Sequence, residues 1–583
     1  MATQMLWMWC NKCQGLAWAG FPVLGPCPAG GDHDHSGSGD YVLTWNVPAG
    51  EGQQSGWMWC NKCQGLAFAD NPEPGPCPAG GDHDHSGSGD YVLRVDVEPE
   101  TYEQSGWMWC NKCQGLAFAD NPEPGPCPAG GDHDHSGSGN YLLAPVVAEG
   151  YCVPLSAAPG ETIDFHVSGQ DSFDVTYLLL GVLGDETQAM GDPEPVEAGV
   201  QDTPEEPWRN GCSWDPTFSL TVPEDWRSGI YSAQCSSPTG LDYHIVFIVK
   251  PSQVGPGRIA ALASTNTWNA YNNWGGRFKY SKPAAAFLSF ERPNPGATPI
   301  DDDVVPKHRT AAELWVLGWL AAAEYPVDVY TDTDFHNGIP GLSDYAALLL
   351  NTHTEYWTEQ MLDNLQCYLD GGGNLVNLGG NNVFERVELD LDHNRMIALN
   401  GDETTDRALC YFVNLDPPRP EREILGVGTR DDNHGTFAPF EVLAEDHPFF
   451  KGTGLRNSDE IGAEGLGGGG ASGVEMDTSI PGTAPAGVIV RVQSAADDRG
   501  APPVPPDDPD TPQTEVVLLA RGTNTGPAGA YGADMVTYTT AANGLVFSAG
   551  SLSFGGSLII DADLQAIVSN VLDECLRRKA AAA

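Results

Sequence analysis

A repeat constrains this chain more than any other feature. The segment Trp7-Met8-Trp9-Cys10-Asn11-Lys12-Cys13 recurs at an offset of 50 residues, opening again at Trp57 and at Trp107, and self-similarity at a fixed period dictates architecture. Each copy runs on through Gln-Gly-Leu-Ala, a Gly-Pro-Cys-Pro-Ala-Gly-Gly turn, Asp-His-Asp-His-Ser-Gly-Ser-Gly and an aromatic residue, Tyr41, Tyr91 or Tyr141. A unit of roughly 35 residues is too small to be held together by apolar burial alone. Its composition supplies the missing stabilisation. A CxxC pair sets two thiolates on one tight turn, a third thiolate arrives from the Pro/Gly turn, and an imidazole completes a Cys3His tetrahedron of the structural zinc type. Such a zinc contributes about 10–16 kcal/mol of apparent binding energy in comparable peptides.

The expected ligands are Cys10, Cys13 and Cys27 with His33 or His35; Cys60, Cys63 and Cys77 with His83 or His85; and Cys110, Cys113 and Cys127 with His133 or His135. Nine of the 15 cysteines are used in this way, and three per unit cannot close internally as disulfides. A redox CxxC wants a thioredoxin-like βαβ context, and the repeats have none. Three zinc-ribbon-like modules, each with one structural zinc, are expected at 1–46, 54–96 and 104–146. Linkers such as 95–102 between them would suit avid binding by weakly binding copies. Of each tryptophan pair, one indole is expected to pack on the metal core with the other facing outward, or both fill the core.

Charge narrows the partners. The chain carries 79 Asp plus Glu against 28 Lys plus Arg, a formal net charge of -51, which repels nucleic acid phosphates and anionic membranes. Each repeat has a single lysine in its turn, Lys12, Lys62 or Lys112, so the basic footprint of a nucleic-acid binder is missing. Contact with protein or glycan is expected from the repeats, and no contact with nucleic acid or membrane. The N-terminal residues have no basic region followed by an apolar one, and no later stretch is long and apolar enough to span a bilayer. A cytoplasmic location is the expectation.

From about residue 149 the pattern changes to short alternating strands: 162–167, 173–178, 218–222, 229–233 and 243–249. They predict an Ig-like β-sandwich over 149–251, with Cys212 and Cys235 as buried thiols. Beyond Pro251, strands alternate with helices. Strands are read at 258–263, 327–330, 344–350 and 374–377, and helices at 310–323 and 358–369. This order predicts an α/β domain over 252–578 with a mostly parallel sheet and helices on both faces, laid out like a glutamine amidotransferase. Ligands in such sheets sit at the carboxyl ends of the strands. Those ends carry 264–276, 351–357 and 378–382, which are polar, aromatic and glycine-rich. No Cys or Ser sits on a sharp strand-to-helix turn, and Cys367 falls inside a helix, so an activated water is favoured over an acyl-enzyme. The Pro- and Asp-dense segment 495–514 reads as an excursion between strands, and His434 as a surface residue.

Four separated motifs carry a family resemblance: Thr267-Trp-Asn-Ala-Tyr-Asn-Asn-Trp-Gly-Gly276, His353-Thr-Glu-Tyr-Trp357, Gly470-Ala-Ser-Gly-Val-Glu-Met-Asp477, and the run from Asp534 through Phe547 to Asp573. Over about 150–577 the chain resembles the large (beta) subunit of N,N-dimethylformamidase. The resemblance implies a metal-dependent amide hydrolase acting on a non-peptide C–N bond, with a small amide substrate. It also implies a mononuclear iron held by two tyrosinates and a glutamate, and assembly into an oligomer. On the matching motifs, Tyr356 is similar to one tyrosine ligand and Glu475 to the carboxylate; Tyr325, Tyr330 and Tyr271 are candidates for the second tyrosine. His353 is expected to orient a metal ligand or to handle a proton. The alternative is a non-enzymatic scaffold that makes its contacts through the zinc repeats.

Overall fold

The computed structural model describes residues 3–20, 23–35, 37–100, 103–146, 148–169, 172–181, 187–236, 242–255, 257–299, 310–403, 407–429, 436–479, 489–492, 514–526, 529–530 and 532–582. His434 and most of the 495–514 segment lie outside the described residues. The protein is mostly β, built from several sheets.

The three repeats do not stand apart on linkers. Their long strands Asp40–Trp45, Asp90–Val95 and Asn140–Pro145 pair with one another in a closed triangle, each with both others. Three further bridges close the same ring: Ala17 to Gly65, Ala67 to Gly115, and Gly15 to Ala117. The reason is apolar. Trp7, Trp57 and Trp107 are completely buried and, with Tyr41, Tyr91 and Tyr141, form one common core. Each tyrosine meets a tryptophan of another repeat edge-on: Tyr91 to Trp7 at 5.1 Å, Tyr141 to Trp57 at 5.0 Å and Tyr41 to Trp107 at 5.3 Å, the offset geometry that aromatic quadrupoles favour. The tyrosine hydroxyls donate to Gln4, Gln54 and Gln104 of neighbouring copies. A small repeat with two tryptophans solves its burial problem by sharing a core. The second tryptophans Trp9, Trp59 and Trp109 are partly buried against that core, and each indole N–H donates to Gln14, Gln64 or Gln114 at 3.1 Å.

The glycine turns lock this ring. Gly25, Gly75 and Gly125 have φ of +78°, +76° and +73°, and a Cβ on them would lie 2.4–2.6 Å from the carbonyl oxygens of Cys63, Cys113 and Cys13 respectively. Only glycine permits that backbone and that approach. Each CxxC knuckle is therefore capped by the Gly-Pro turn of another repeat.

Two sheets follow and enclose a single core. One contains Ala148–Val153, Thr162–Gly169 and Phe218–Thr221; the other contains Phe173–Leu179, Gly229–Ser236 and Asp242–Val249. Alternate residues such as Ile163, Phe165, Val167, Phe173, Val175, Tyr231, Ala233, Phe247 and Val249 fill the space between them. Cys212 and Cys235 are buried free thiols in separate clusters.

In the C-terminal region, strands Val327–Thr331, Ile259–Ala263, Ala347–Thr352, Leu375–Gly379 and Leu545–Ser548 are neighbours and run parallel. Strand Ile259–Ala263 shows why both faces are covered. Ile259, Ala261 and Ala263 belong to one core with helices Thr310–Ala322, Phe554–Leu558 and Ala562–Ala582, whereas Ala260 and Leu262 belong to another with helix Glu359–Asp370, the period-2 consequence of the pleat. The sheet is not parallel throughout. Asp534–Thr539 joins Leu545–Ser548 through a short turn, and the sheet continues antiparallel through Thr514–Gly522 to Phe440–Val442. Short connections permit only antiparallel pairing, and this half of the sheet corrects the mostly parallel expectation. No described helix is long and apolar enough to cross a membrane.

Candidate metal centres

The cysteines of each repeat converge. In the first, the Sγ atoms of Cys10 and Cys27 are 3.8 Å apart and Nδ1 of His33 lies 3.6 Å from Sγ of Cys13. The second and third repeat this with sulfur spacings of 3.9 Å and histidine contacts of 3.5 and 3.6 Å. In each set all four ligand atoms lie within 4.8 Å of one another. A tetrahedral ion with metal–sulfur bonds of about 2.3 Å needs sulfurs about 3.8 Å apart, so the donors fit a closed zinc-type site. Backbone N–H groups of Ala29 and Asp34 point at the sulfurs of Cys27 and Cys10, as thiolates require. Between the histidines left open by the sequence, the first of each pair faces the sulfurs. The second turns Nδ1 to a backbone carbonyl, His35 to Trp9, His85 to Trp59 and His135 to Trp109, at 3.0–3.1 Å.

A second cluster forms where three parallel strands end. Strand Ala347–Thr352 stops at Thr352, whose φ of +54° turns the chain sharply, and the His353 N–H donates to the Asn351 carbonyl at 2.7 Å. That turn throws His353, Glu355 and Tyr356 into the space beyond the sheet. Strand Leu375–Gly379 ends alongside. A Cβ on Gly379 would sit 1.9 Å from the Thr352 oxygen, and one on Gly380 would sit 2.2 Å from the Glu475 oxygen. These two glycines let three chain segments meet. Glu475 itself follows Val474, a β-branched residue at φ +61°, a strained conformation that persists where the surroundings impose it.

Helix Thr265–Ala270 is stitched to the same turn. Asn266 donates to the Tyr356 carbonyl at 3.0 Å, Thr267 Oγ1 donates to the His353 carbonyl at 2.8 Å, and the Glu355 N–H donates back to Thr267 Oγ1. The helix ends at Tyr271, and the loop beyond it returns with Tyr280. Their hydroxyls are 2.8 Å apart; Tyr271 reaches Glu355 Oε2 at 3.3 Å and Tyr280 reaches Glu355 Oε1 at 3.4 Å. Tyr271, Tyr280 and Glu355 thus present three oxygens, each touching the other two. Tyr356 lies behind them, with its hydroxyl 2.5 Å from that of Tyr280.

His353 links this triangle to a second carboxylate. Nε2 is 3.1 Å from Glu355 Oε2 and 3.1 Å from Glu475 Oε2, and Nδ1 is 3.0 Å from the Gly380 carbonyl. Asn381 donates to Glu475 Oε2 at 3.1 Å. Burial pulls the His353 pKa down, but Glu475 and Glu355 outweigh it and carry it up to about 9. Acceptors face both ring nitrogens, the arrangement that favours the protonated ring. Removal from water and the Glu355 charge push Tyr271, Tyr280 and Tyr356 well above the usual phenol range, so the phenols stay protonated until a cation is present. Lys279 is buried in an ion pair with Glu385 at 3.0 Å, its ammonium 5.3 Å and 5.8 Å from the rings of Tyr280 and Tyr356.

The residues expected from the motifs are distributed unevenly. His353, Tyr356 and Glu475 come together, and so does Tyr271. Tyr325 instead bonds Asp573 and the Ser569 carbonyl, and Tyr330 bonds Tyr345. Tyr280, Glu355 and Asn381 were not singled out by the sequence reading. Glu355 lies inside the His353–Trp357 motif and Tyr280 nine positions beyond Tyr271, but only the returning loop brings them face to face.

The comparisons agree with this geography. Residues 181–566 match the model of the family described as N,N-dimethylformamidase beta subunit-like, C-terminal. The N,N-dimethylformamidase beta subunits of Paracoccus aminophilus and of an Alcaligenes species are 25% and 24% identical over 426 and 433 residues, in both cases 63% of this chain. The chain spans about half the length of these relatives, 55%. Every residue of the second cluster falls within the matched span, and the repeats fall outside it. The chain belongs to the N,N-dimethylformamidase beta subunit-like family.

Proposed function

We propose that this chain is a metal-dependent amide hydrolase of the dimethylformamidase type, with one iron held by Tyr271, Tyr280 and Glu355. The single observation that carries the reading is the mutual contact of those three oxygens beside His353 and Glu475. The donors suit iron. They are hard oxygen ligands, two half-buried phenols and a buried carboxylate, and phenols that stay protonated without a cation are the kind that a highly charged ion converts to tyrosinates. This assignment differs from the ligand set that the family motifs suggest, since it moves Tyr356 and Glu475 off the metal. Tyr356, whose hydroxyl is 2.5 Å from that of Tyr280, would donate to the Tyr280 oxygen once that phenol is ionised. The finer fold readings, an Ig-like sandwich for the middle region and an amidotransferase-like α/β domain after it, are supported by the two facing sheets and by the five parallel strands.

A bound iron(III) supplies Lewis acidity, polarising an amide carbonyl and acidifying a water. The rest is done by side chains. Glu475 is the less buried of the two carboxylates on His353, at 13% exposure against 4% for Glu355, and is the one a water can reach. Asn381 fixes its Oε2, so Glu475 is oriented to accept the proton of the attacking water. His353, locked by the Gly380 carbonyl at Nδ1, holds its second proton at Nε2 beside both carboxylates and returns a proton to the departing amine nitrogen.

His353→Gln tests these roles. The variant is expected to keep its iron while kcat for N,N-dimethylformamide falls by about 10²–10⁴, the usual worth of a positioned acid–base group; an unchanged kcat would remove His353 from the chemistry. The raised pKa has a further consequence for the metal-free chain. The protonated ring stabilises the fold fully below about pH 6.5, and that contribution is lost as pH rises through about 9. Denaturant titrations at pH 6 and pH 9.5 are expected to show this loss in the parent and not in the variant.

A further inference from the structure

The two phenols assigned to the metal belong to one loop, 271–280, and that loop is held by Arg292 and by two groups outside the family-matched span, Ala19 and Glu149. Three ties hold it. Arg292, 1% exposed, spends its guanidinium on carbonyl oxygens: Trp274 at 2.6 Å, Ser289 at 3.1 Å and Arg277 at 3.4 Å, with the Asn269 side chain at 3.3 Å. Asn273 donates from Nδ2 to the Ala19 carbonyl of the first repeat at 3.2 Å. Trp274 donates from Nε1 to Glu149 Oε2 at 2.8 Å.

The tie through Asn273 leads to the repeat ring, and the tie through Trp274 leads to strand Ala148–Val153 of the sheet that follows it. Ala19 is 1% exposed, follows strand Leu16–Trp18 and has its own N–H bonded to the Leu6 carbonyl. Strand Leu16–Trp18 pairs with Thr3–Trp9, which runs straight into Cys10. Glu149 lies in strand Ala148–Val153, opposite Ser168, and Val146, three residues earlier, donates its N–H to the Asp40 carbonyl of the first repeat. Ala19 sits within that ring, whose shared core is Trp7, Trp57 and Trp107 with Tyr41, Tyr91, Tyr141 and six leucines, beside the three Cys3His clusters. Asn273 is therefore tied directly to the folded repeats, and Trp274 to the strand that leads out of them. We propose that the threefold repeat unit is a brace for the tyrosine loop, so that zinc in the repeats sets the placement of Tyr271 and Tyr280. Asn273 and Trp274 are its positioning residues. The inference rests on the reading of Tyr271 and Tyr280 as iron donors for its catalytic consequence, though the mechanical coupling stands on the contacts alone. It gives the repeats a role inside their own chain in place of capture of an outside partner.

The test uses the full chain, with the double variant Asn273→Ala/Trp274→Phe and, separately, Cys10→Ser. Amide hydrogen exchange is followed over 271–280 in iron-free protein, and the tyrosinate-to-iron absorption band after iron loading. The brace predicts exchange over 271–280 at least about tenfold faster in both variants, a shifted or weakened band, and unchanged exchange in strand Ile259–Ala263. The double variant leaves every zinc ligand in place, so it answers even if Cys10→Ser unfolds the repeats. Unchanged exchange and an unchanged band in the double variant would overturn the brace. If the parent binds no iron but 271–280 still responds, the donor reading fails and the brace survives; if the parent binds iron and neither readout moves, the reverse holds.

Discussion

Tyr280→Phe is expected to lose its iron and, with it, any visible tyrosinate band, while the protein stays folded. The ring that remains still stacks on Tyr271, whose centroid is 4.7 Å away, so packing changes little. What goes is the oxygen that touches Tyr271, Tyr356 and Glu355 together. The remaining pair offers one phenol and one carboxylate, too few to hold a metal tightly against water. Lewis-acid stabilisation worth several kcal/mol disappears with it, so kcat/KM for a formamide is expected to fall by about a thousandfold or more. Tyr325→Phe and Tyr330→Phe, whose hydroxyls bond elsewhere, are expected to keep the metal. Iron per chain and the absorption spectrum check all three. Retention of iron in Tyr280→Phe with its loss in Tyr356→Phe would move the donor set to Tyr356.

Cys60→Ser is expected to cost the repeat unit far more than a third of its metal. Three independent modules would lose one zinc of three. The closed ring predicts otherwise, because the Cys60–Cys63 knuckle is capped by the turn at Gly25 in the first repeat and the core beneath it is shared by Trp7, Trp57 and Trp107. A structural zinc is worth about 10–16 kcal/mol of apparent binding energy, as much as the whole stability of a typical domain, about 5–15 kcal/mol. Loss of one site is therefore expected to release all three ions and to expose the three buried tryptophans together. Zinc content by elemental analysis and the near-ultraviolet dichroism of tryptophan read the outcome. Two zinc ions retained with an intact tryptophan signal would show that the repeats fold separately.

The sequence was most informative where one residue type does one job. Cysteine spacing located the thiolate clusters, because sulfur ligands in a CxxC turn are necessarily local. Alternating hydrophobicity located strands such as Thr162–Gly169 and Asp242–Val249 to within two residues. Helix Glu359–Asp370 was placed within one residue, with Thr358 as its N-cap accepting from the Met361 N–H. Non-local closure was less legible. Nothing in one repeat announces that Tyr91 will lie on Trp7, and a linker reading of 95–102 ignored that three half-finished cores can complete one another. The second centre shows the same limit. His353, Glu475 and Tyr271 stand out in motifs, but the partner of Tyr271 is reached only after the loop doubles back to Tyr280. Glu355 was passed over because in a chain with 79 acidic residues a single glutamate carries little signal. Its chemistry comes from burial, and burial is a property of the assembled sheet end.

Metal content of the full chain, purified without added chelator, is the most direct measurement. Three zinc ions, one for each Cys3His cluster, together with one iron and a tyrosinate-to-iron charge-transfer band confirmed by resonance Raman phenolate modes, is the predicted result. Zinc alone, with no iron taken up on incubation with iron salts and no such band, would contradict the assignment of the sheet-end cluster as a metal-dependent hydrolase centre.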